Sequence, residues 1–480
     1  MGKIGHKRVS FILIVVFILV SFPLQGQQSA FAMSIEEERK MGDEFLISVE
    51  NQLDLVEDDY VVQFINDLGK YLTSQLETKP FTFNFYVIKD NQLNAFAGPG
   101  GHIFLYTGLI ETMDKIDELV GVMCHEIGHV SSRHINERLE KGKWLGLATM
   151  AGVLAGTLAS GDASEAIITG SMAAAQQIQL SYSRDDERQA DQAGFRYSYL
   201  SGFDPSALVS ALSKLQQGWS SNEVPQYLLT HPLGPERMSN IESMLASMPP
   251  VTMKKETEHF RKIYPLIRTI LKAYSMEARD AEKYFLSELE KDPESHLAHL
   301  GLAIALKGKS EYPEAIDHFQ KSIEGLPDPL PALRLLSETY QLRGQDKEAI
   351  KVLEKALELN NKDKSTLFLL AASYQNAEEY SKASDIYEKL TFMEPVKDEV
   401  YYNLGVAYGR QDSLDYAHYN FGIYYKKLNR IEEARFHFQK AKDLASNNPN
   451  LQEKIKKAME DTQGMKPGGR DGSPPEPNFN

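Results

Sequence analysis

The chain has 480 residues, one cysteine, and a formal net charge of −15 from 52 basic and 67 acidic residues. This length exceeds one hydrophobic core, so at least two domains are expected. The acidic balance argues against nucleic acid or an anionic membrane as the main partner, and one cysteine excludes an internal disulfide.

The N-terminus has the pattern of a secretory signal peptide. Three basic residues precede an uncharged run at residues 11–22, and Ala-Phe-Ala at residues 30–32 supplies a cleavage site. This pattern predicts a signal peptide over residues 1–32 and a mature periplasmic protein that starts at Met33. The run is shorter than the roughly 20 residues of a spanning helix, so no permanent transmembrane anchor is expected, although peripheral membrane contact is compatible with it.

Two segments ahead of the central motif predict a small sheet. Residues 81–88 alternate as a half-buried strand does, and residues 102–106 predict a second strand after a Gly-Pro-Gly-Gly turn. An edge strand here would hold an extended substrate by main-chain hydrogen bonds that are insensitive to side-chain identity. Broad specificity, with a preference for unfolded chains, is therefore expected.

Residues 125–129 read His-Glu-Ile-Gly-His. On a helix, histidines four residues apart lie on one face, where both imidazoles reach a single zinc ion. Glu126 is then placed to deprotonate a water molecule, which is the core chemistry of a zinc peptidase. Apolar neighbours at helical spacing predict a buried helix, in which Cys124 is expected to be a packed core thiol.

A catalytic zinc takes three protein ligands, so a third must be found. The metzincin pattern would need Gly at position 132 and His at 135, where the chain has Ser132 and Ile135. His134 is one residue out of that register and is interpreted as an exposed helix histidine.

The segment 183–191 offers the better third ligand. Glu187 and Asp191 are one helical turn apart, so the first can bind metal while the second orients a ligand histidine. Ala190, Ala193 and Gly194 are small enough for this helix to approach the zinc helix closely. A solvated acidic turn remains the alternative on spacing alone.

Residues 144–160 are apolar but punctuated by glycine, and an Ala-rich stretch continues to residue 180. The first run is barely long enough for a bilayer of about 30 Å and is poorly hydrophobic. We interpret the whole stretch as helices near the cleft that form a movable lid, with membrane contact as the alternative.

The motifs in chain order resemble a known family. They are Asn94-Ala95-Phe96-Ala97 with Gly100-Gly101, then residues 125–129, then residues 183–191. Together they are similar to the HtpX and CAAX-prenyl-protease family of gluzincins, in its soluble periplasmic branch with helical repeats behind the peptidase. The resemblance runs over most of residues 34–460.

The resemblance implies a zincin-type α+β fold and one Zn²⁺ per protomer. It implies the following roles: His125, His129 and Glu187 as zinc ligands, Glu126 as general base, and Asp191 as the carboxylate that orients a ligand.

A downstream element, Thr230-His231-Pro232 followed by Arg237, also matches the family. By residue type alone, His231 is a loop histidine before a proline. The resemblance places His231 near the metal, either in the fourth coordination position or as a group that stabilises the oxyanion. Arg237 is expected to stabilise the oxyanion or to position a group.

The C-terminal half has a strict repeat of 34 residues. Alanines recur at Ala281, Ala315, Ala349, Ala383 and Ala417, and large residues follow at Phe285, Phe319, Leu353, Tyr387 and Phe421. This pattern resembles tetratricopeptide repeats, an all-α solenoid in which a small residue lets paired helices approach. The next Ala and aromatic pair comes early, at Ala434 and Phe438, so a helix near residues 414–427 must serve two successive repeats.

The predicted organisation is a signal peptide (1–32), a mostly helical peptidase domain with a small sheet (33–255), a repeat domain (260–462) and a disordered tail (463–480). The expected function is a periplasmic zinc endopeptidase that degrades misfolded or stalled envelope proteins. The resemblance implies outer-membrane β-barrel proteins as clients, recruited with their assembly machinery by the repeats. The alternative is a chaperone or assembly scaffold in which proteolysis is minor.

Overall fold

The computed structural model describes residues 33–136, 182–217, 224–463 and 465. The predicted signal peptide, the stretch 144–180 and most of the tail lie outside these residues. Within them, one compact unit comprises residues 33–56 and 65–257, and a second comprises 57–64 and 258–463. None of the helices in the described ranges combines the length and apolar character needed to cross a bilayer.

The first unit contains a small sheet and a set of helices, in the order α1 (Ile35–Glu50), α2 (Asp59–Thr73), β1 (Asn84–Ile88), β2 (Ala95–Ala97), β3 (His102–Tyr106), α3 (Thr107–Thr112), α4 (Ile116–Ser131), α5 (Arg184–Ser201), α6 (Ala207–Gln217), α7 (Gln226–Thr230) and α8 (Pro235–Ser247). The start of α2 belongs to the second unit. The expected fold class, a mostly helical α+β domain followed by helical repeats, is confirmed.

The described sheet has the order β1-β3-β2. β1 runs parallel to β3, and β2 runs antiparallel to it, with Phe96 opposite Phe104. A 3-10 turn precedes β3, and Gly100 and Gly101 adopt φ angles of 73° and 96° there, a region that favours glycine. β2 lies at the edge of this sheet and packs against α4.

Helices α4 and α5 approach closely because small residues line their contact. A Cβ added at Gly128 would lie 2.8 Å from the Ala190 carbonyl oxygen, and one at Gly194 would lie 3.2 Å from the His125 nitrogen. These contacts confirm that the small residues of the second helix permit its approach to the first.

The second unit is a run of helices: α9 (Lys255–Ser275), α10 (Ala278–Lys291), α11 (His296–Gly308), α12 (Tyr312–Ile323), α13 (Leu330–Leu342), α14 (Asp346–Leu359), α15 (Lys364–Asn376), α16 (Tyr380–Leu390), α17 (Asp398–Arg410), α18 (Leu414–Lys427), α19 (Ile431–Leu444) and α20 (Pro449–Gln463). The repeating alanines and the large residues four positions later are all 3% exposed or less. They therefore form the core of the array, as their period predicts.

Helix α18 serves two repeats, as the irregular spacing predicts. A Cβ added at Gly405 on α17 would meet the Phe421 ring of α18 at 2.8 Å. One added at Gly422 on α18 would clash with the Phe438 ring of α19. The same contact between a glycine and a phenylalanine ring thus occurs in two successive helix pairs. Helix α18 is the second helix of the earlier pair and the first helix of the later pair.

Candidate active site

Helix α4 supplies the histidine pair and the glutamate between them. Its first turn is fixed by Glu118, whose carboxylate accepts from the Lys115 backbone N–H at 3.2 Å. The helix then runs through the core, so His125, Glu126 and His129 are all 0% exposed. Their burial means that solvent does not compensate their polar atoms, which must find partners inside the protein.

Helix α5 brings a second pair of acidic side chains to the same place. Ser183 caps its N-terminus by accepting from the Asp186 backbone N–H at 3.2 Å, and acidic residues fill the first turn, where the helix dipole favours them. Glu187 and Asp191 follow on the buried face, 2% and 1% exposed.

Four buried side chains converge on one point: His125, His129, Glu187 and His231 each offer an atom, and these atoms lie within 4.8 Å of one another. The Nε2 atoms of His125 and His129 are 3.0 Å apart. Glu187 Oε1 lies 3.5 Å from His129 Nε2, and Glu187 Oε2 lies 3.6 Å from His125 Nε2.

These spacings fit zinc. A tetrahedral ion with bonds of about 2.0–2.1 Å holds neighbouring ligand atoms about 3.3 Å apart. The donor set also suits it, since imidazole binds metal in its neutral form and burial lowers the pKa of His129 well below its usual value. The residues present therefore fit the ion that the sequence implies.

The carboxylate of Asp191 and the guanidinium of Arg237 contact side chains of this group. Asp191 Oδ1 lies 2.9 Å from His125 Nδ1, within hydrogen-bonding distance of the ring nitrogen that faces away from the cluster. Arg237 donates through Nε and Nη2 to Asp191, both at 2.9 Å, and its Nη1 also pairs with Glu187. Burial alone would raise the pKa of Glu187, but His231 and Arg237 hold it well below its usual value. The guanidinium thus faces the carboxylates, a position that suits holding them in place.

Glu126 has the properties of a proton acceptor near neutral pH. Burial raises the pKa of its carboxyl to about 7, with Glu187 adding to the shift and His125 opposing it. General bases work best when their pKa lies near the working pH.

His231 follows α7 directly. Its Nδ1 lies 3.3 Å from His125 Nε2 and 2.9 Å from Glu187 Oε1, while its Nε2 lies 3.6 Å from Glu126 Oε1. The Tyr227 ring stacks on it at 4.4 Å, because the two residues are one turn apart. His231 therefore reaches the converging atoms of His125 and Glu187 and also the carboxylate of Glu126 from one buried position.

Two further side chains touch the histidines and were not found from the sequence. The interpretation of His134 as an exposed histidine is wrong: it is 1% exposed, and its Nδ1 lies 3.0 Å from His129 Nδ1. The chain turns back after α4 instead of continuing the helix outward. The Tyr182 ring stacks on His129 at 3.7 Å. Its place immediately before the Ser183 cap was the available signal.

Cys124, also on α4, is fully buried, and burial raises the pKa of its thiol to about 12. It is a packed core thiol, as the predicted burial of this helix implies.

Comparison with known proteins gives the following matches. The model of peptidase family M48 matches residues 58–245. Tetratricopeptide-repeat models match residues 273–329 and 415–448, and a model of anaphase-promoting complex subunit 3 matches residues 308–390. Among solved structures, the tetratricopeptide-repeat protein YrrB is 22% identical, with 42% of this chain and 95% of that chain covered and a TM-score of 0.29.

Three curated relatives are also similar to this chain. The beta-barrel assembly-enhancing protease of Yersinia pestis is 30% identical over 377 residues, covering 77% of this chain and 76% of that protein. The protein of the same name from Escherichia coli K12 is 29% identical over 378 residues, covering 78% and 77%. Metalloprotease LoiP of the same strain is 27% identical over 193 residues, covering 38% and 70%.

A glutamate between two histidines on one buried helix, with a carboxylate from a second helix beside them, defines a zinc metalloendopeptidase. Its substrates are proteins, and its helical repeats are of a kind that serves protein interaction. The chain belongs to peptidase family M48, among members that carry tetratricopeptide repeats behind the peptidase domain.

Proposed function

We propose that this chain is a periplasmic zinc endopeptidase of the outer-membrane protein assembly system, which degrades misfolded or stalled β-barrel proteins. The observation that carries the proposal is the buried group of His125, His129, Glu187 and His231 beside Glu126. The names of the relatives from Yersinia pestis and Escherichia coli, beta-barrel assembly-enhancing proteases, support the client class.

In the proposed mechanism, His125, His129 and Glu187 hold the zinc ion. When bound, zinc acidifies a water molecule and polarises the scissile carbonyl. Glu126 accepts the proton of the attacking water and returns it to the leaving amine. Asp191 keeps the His125 ring in place, and Arg237 holds both carboxylates in position.

Substrate recognition is proposed to use the edge strand β2, next to the zinc helix. Main-chain groups of an edge strand pair with an extended peptide and are insensitive to its side chains. Folded proteins rarely offer an extended segment, so unfolded clients are selected by their conformation.

The proposed domains are a peptidase domain over residues 33–255 and a repeat domain over residues 260–462 that captures clients or assembly machinery. Removing residues 258–480 should leave zinc binding and cleavage of a short unstructured peptide intact, because His125, His129 and Glu187 all lie in the first unit. Crosslinking of protein clients should fall at least tenfold, measured with an unfolded β-barrel protein carrying a photoreactive group. Equal crosslinking with and without the repeats would refute the recruitment role.

The alternative function, a chaperone or assembly scaffold, is supported by the repeat helices over residues 258–463, because stacked helix pairs offer a surface suited to protein partners. Complementation with Glu126→Gln separates the two functions. If the variant restores envelope integrity to a deletion strain as fully as the native chain does, cleavage is dispensable and the scaffold function holds. The protease function predicts instead that the deletion strain carrying Glu126→Gln stays sensitive to large antibiotics, even when the variant is present at the same level as the native chain.

His231 is proposed to restrain the resting enzyme. Its Nδ1 contacts the ligand atoms of His125 and Glu187, where the attacking water would have to enter. His231→Ala should therefore raise basal cleavage of a peptide and self-cleavage several-fold, with zinc retained. If His231 instead stabilises the oxyanion, the same variant should slow cleavage about 10²- to 10³-fold. Steady-state rates at equal zinc content decide, because the two roles predict opposite signs.

A further inference from the structure

His134 has an unexpected place for a residue just beyond the zinc helix. Its ring lies against that of His129, with centroids 5.1 Å apart and an interplanar angle of 74°. The two Nδ1 atoms are 3.0 Å apart, a hydrogen-bonding distance, and both side chains are buried. The contact is therefore edge to edge through nitrogen atoms, which plain ring packing does not require.

The direction of this hydrogen bond follows from the other nitrogen of His129. Nε2 faces His125 Nε2 at 3.0 Å and Glu187 Oε1 at 3.5 Å, so it is the nitrogen whose lone pair is offered to a metal. A neutral imidazole carries one proton, which must then lie on Nδ1. His129 Nδ1–H accordingly donates, and His134 Nδ1 accepts.

The surroundings of His134 agree with that assignment. With Nδ1 as acceptor, its proton lies on Nε2, and Nε2 is 3.5 Å from the side-chain oxygen of Gln189, which can only accept. The Gln189 amide nitrogen in turn donates to Asp185 Oδ2 at 2.8 Å. Every group from His129 to the surface of α5 thus has one consistent donor and acceptor role.

The backbone conformation at Arg133 directs His134 toward His129. Arg133, between the end of α4 and His134, has φ of 55°, a left-handed conformation that costs a non-glycine residue about 1 kcal/mol or more. Its guanidinium donates through Nε and Nη2 to the buried carboxylate of Glu38, at 2.9 and 2.7 Å. This ion pair fixes the reversed turn that returns His134 to the side of His129.

We infer that His134 is a positioning residue for the zinc site, the acceptor that holds His129 with Nε2 toward the metal. The inference rests on the proposed role of His129 as a ligand. Ligand histidines usually donate their second ring N–H to a carboxylate, a carbonyl or water. Here His125 has the carboxylate of Asp191, whereas His129 has a neutral imidazole.

Two substitutions distinguish a role of His134 as a hydrogen-bond acceptor from a role in packing. His134→Phe keeps the ring and removes the acceptor, whereas His134→Asn removes the ring and puts an amide oxygen at the position of Nδ1. The full mature chain of each variant is titrated with Zn²⁺ against a chromogenic chelator. We expect the Phe variant to bind zinc about 10- to 100-fold more weakly than the native chain, and the Asn variant to recover most of that loss.

Thermal unfolding of the zinc-free proteins provides the folding control, since a packing role would make the Phe variant the more stable of the two. Native-like zinc affinity in the Phe variant, or equal weakness in both variants, overturns the inference. Failure of the native chain to bind zinc would instead overturn the proposed function.

Discussion

Zinc should be lost from His125→Ala, His129→Ala and Glu187→Gln, while the native mature chain binds one ion per protomer. An apparent binding free energy of about 10–16 kcal/mol, shared among four bonds, makes each ligand worth about 2.5–4 kcal/mol. Removing one should weaken binding about 10²- to 10³-fold. Metal content after dialysis and chelator competition measure this loss.

Glu187→Gln is the most informative of the three variants, because Glu187 lies on a different helix from His125 and His129. Asp191 still pairs with Arg237 in that variant, so the guanidinium does not become an isolated buried charge. Glu126→Gln is the control, since Glu126 lies beside the group and is not expected to hold the ion. Full zinc content and full activity in Glu187→Gln would show that the third ligand lies elsewhere.

Glu126→Gln should reduce cleavage of an unfolded substrate such as casein by about 10²- to 10⁴-fold, with zinc retained. Glutamine has the shape of glutamate but cannot take a proton from the attacking water. The measurement is the initial rate at saturating substrate, compared with zinc content in the same preparation.

Glu118→Gln is the matched control for that variant. Glu118 lies on the same helix and is also buried, but it pairs with Lys214 at 2.6 Å, away from the ligand group. The same chemical change there should leave the rate within about twofold and lower only stability, by roughly 1–3 kcal/mol for a broken buried pair. A Glu126→Gln enzyme with more than a tenth of the native rate would contradict the general-base role.

Local patterns in the sequence were sufficient wherever the relevant geometry lies within one helix. The spacing of His125 and His129 places both on one face, and that of Glu187 and Asp191 does the same. The 34-residue period likewise predicted the buried positions of the repeat helices, including the double use of α18. The first strand was predicted as residues 81–88, and the structure has β1 starting at Asn84, because strand ends depend on pairing partners.

Residues that approach from other segments were harder to assign. Arg237 was expected to stabilise an oxyanion or to position a group, and the structure directs its guanidinium at Asp191 and Glu187. His231 was assigned to the site by the family resemblance, since a loop histidine before a proline does not by itself indicate metal binding.

The sequence by itself determined the enzyme class, the repeat architecture and which side chains share a helix face, because helical periodicity is a property of the local chain. Only the tertiary structure decided that His134 turns inward to His129, since this depends on the left-handed Arg133 and its ion pair with the distant Glu38. Distances between segments are set by packing, and the sequence of neither α4 nor α5 alone specifies how the two helices pack against each other.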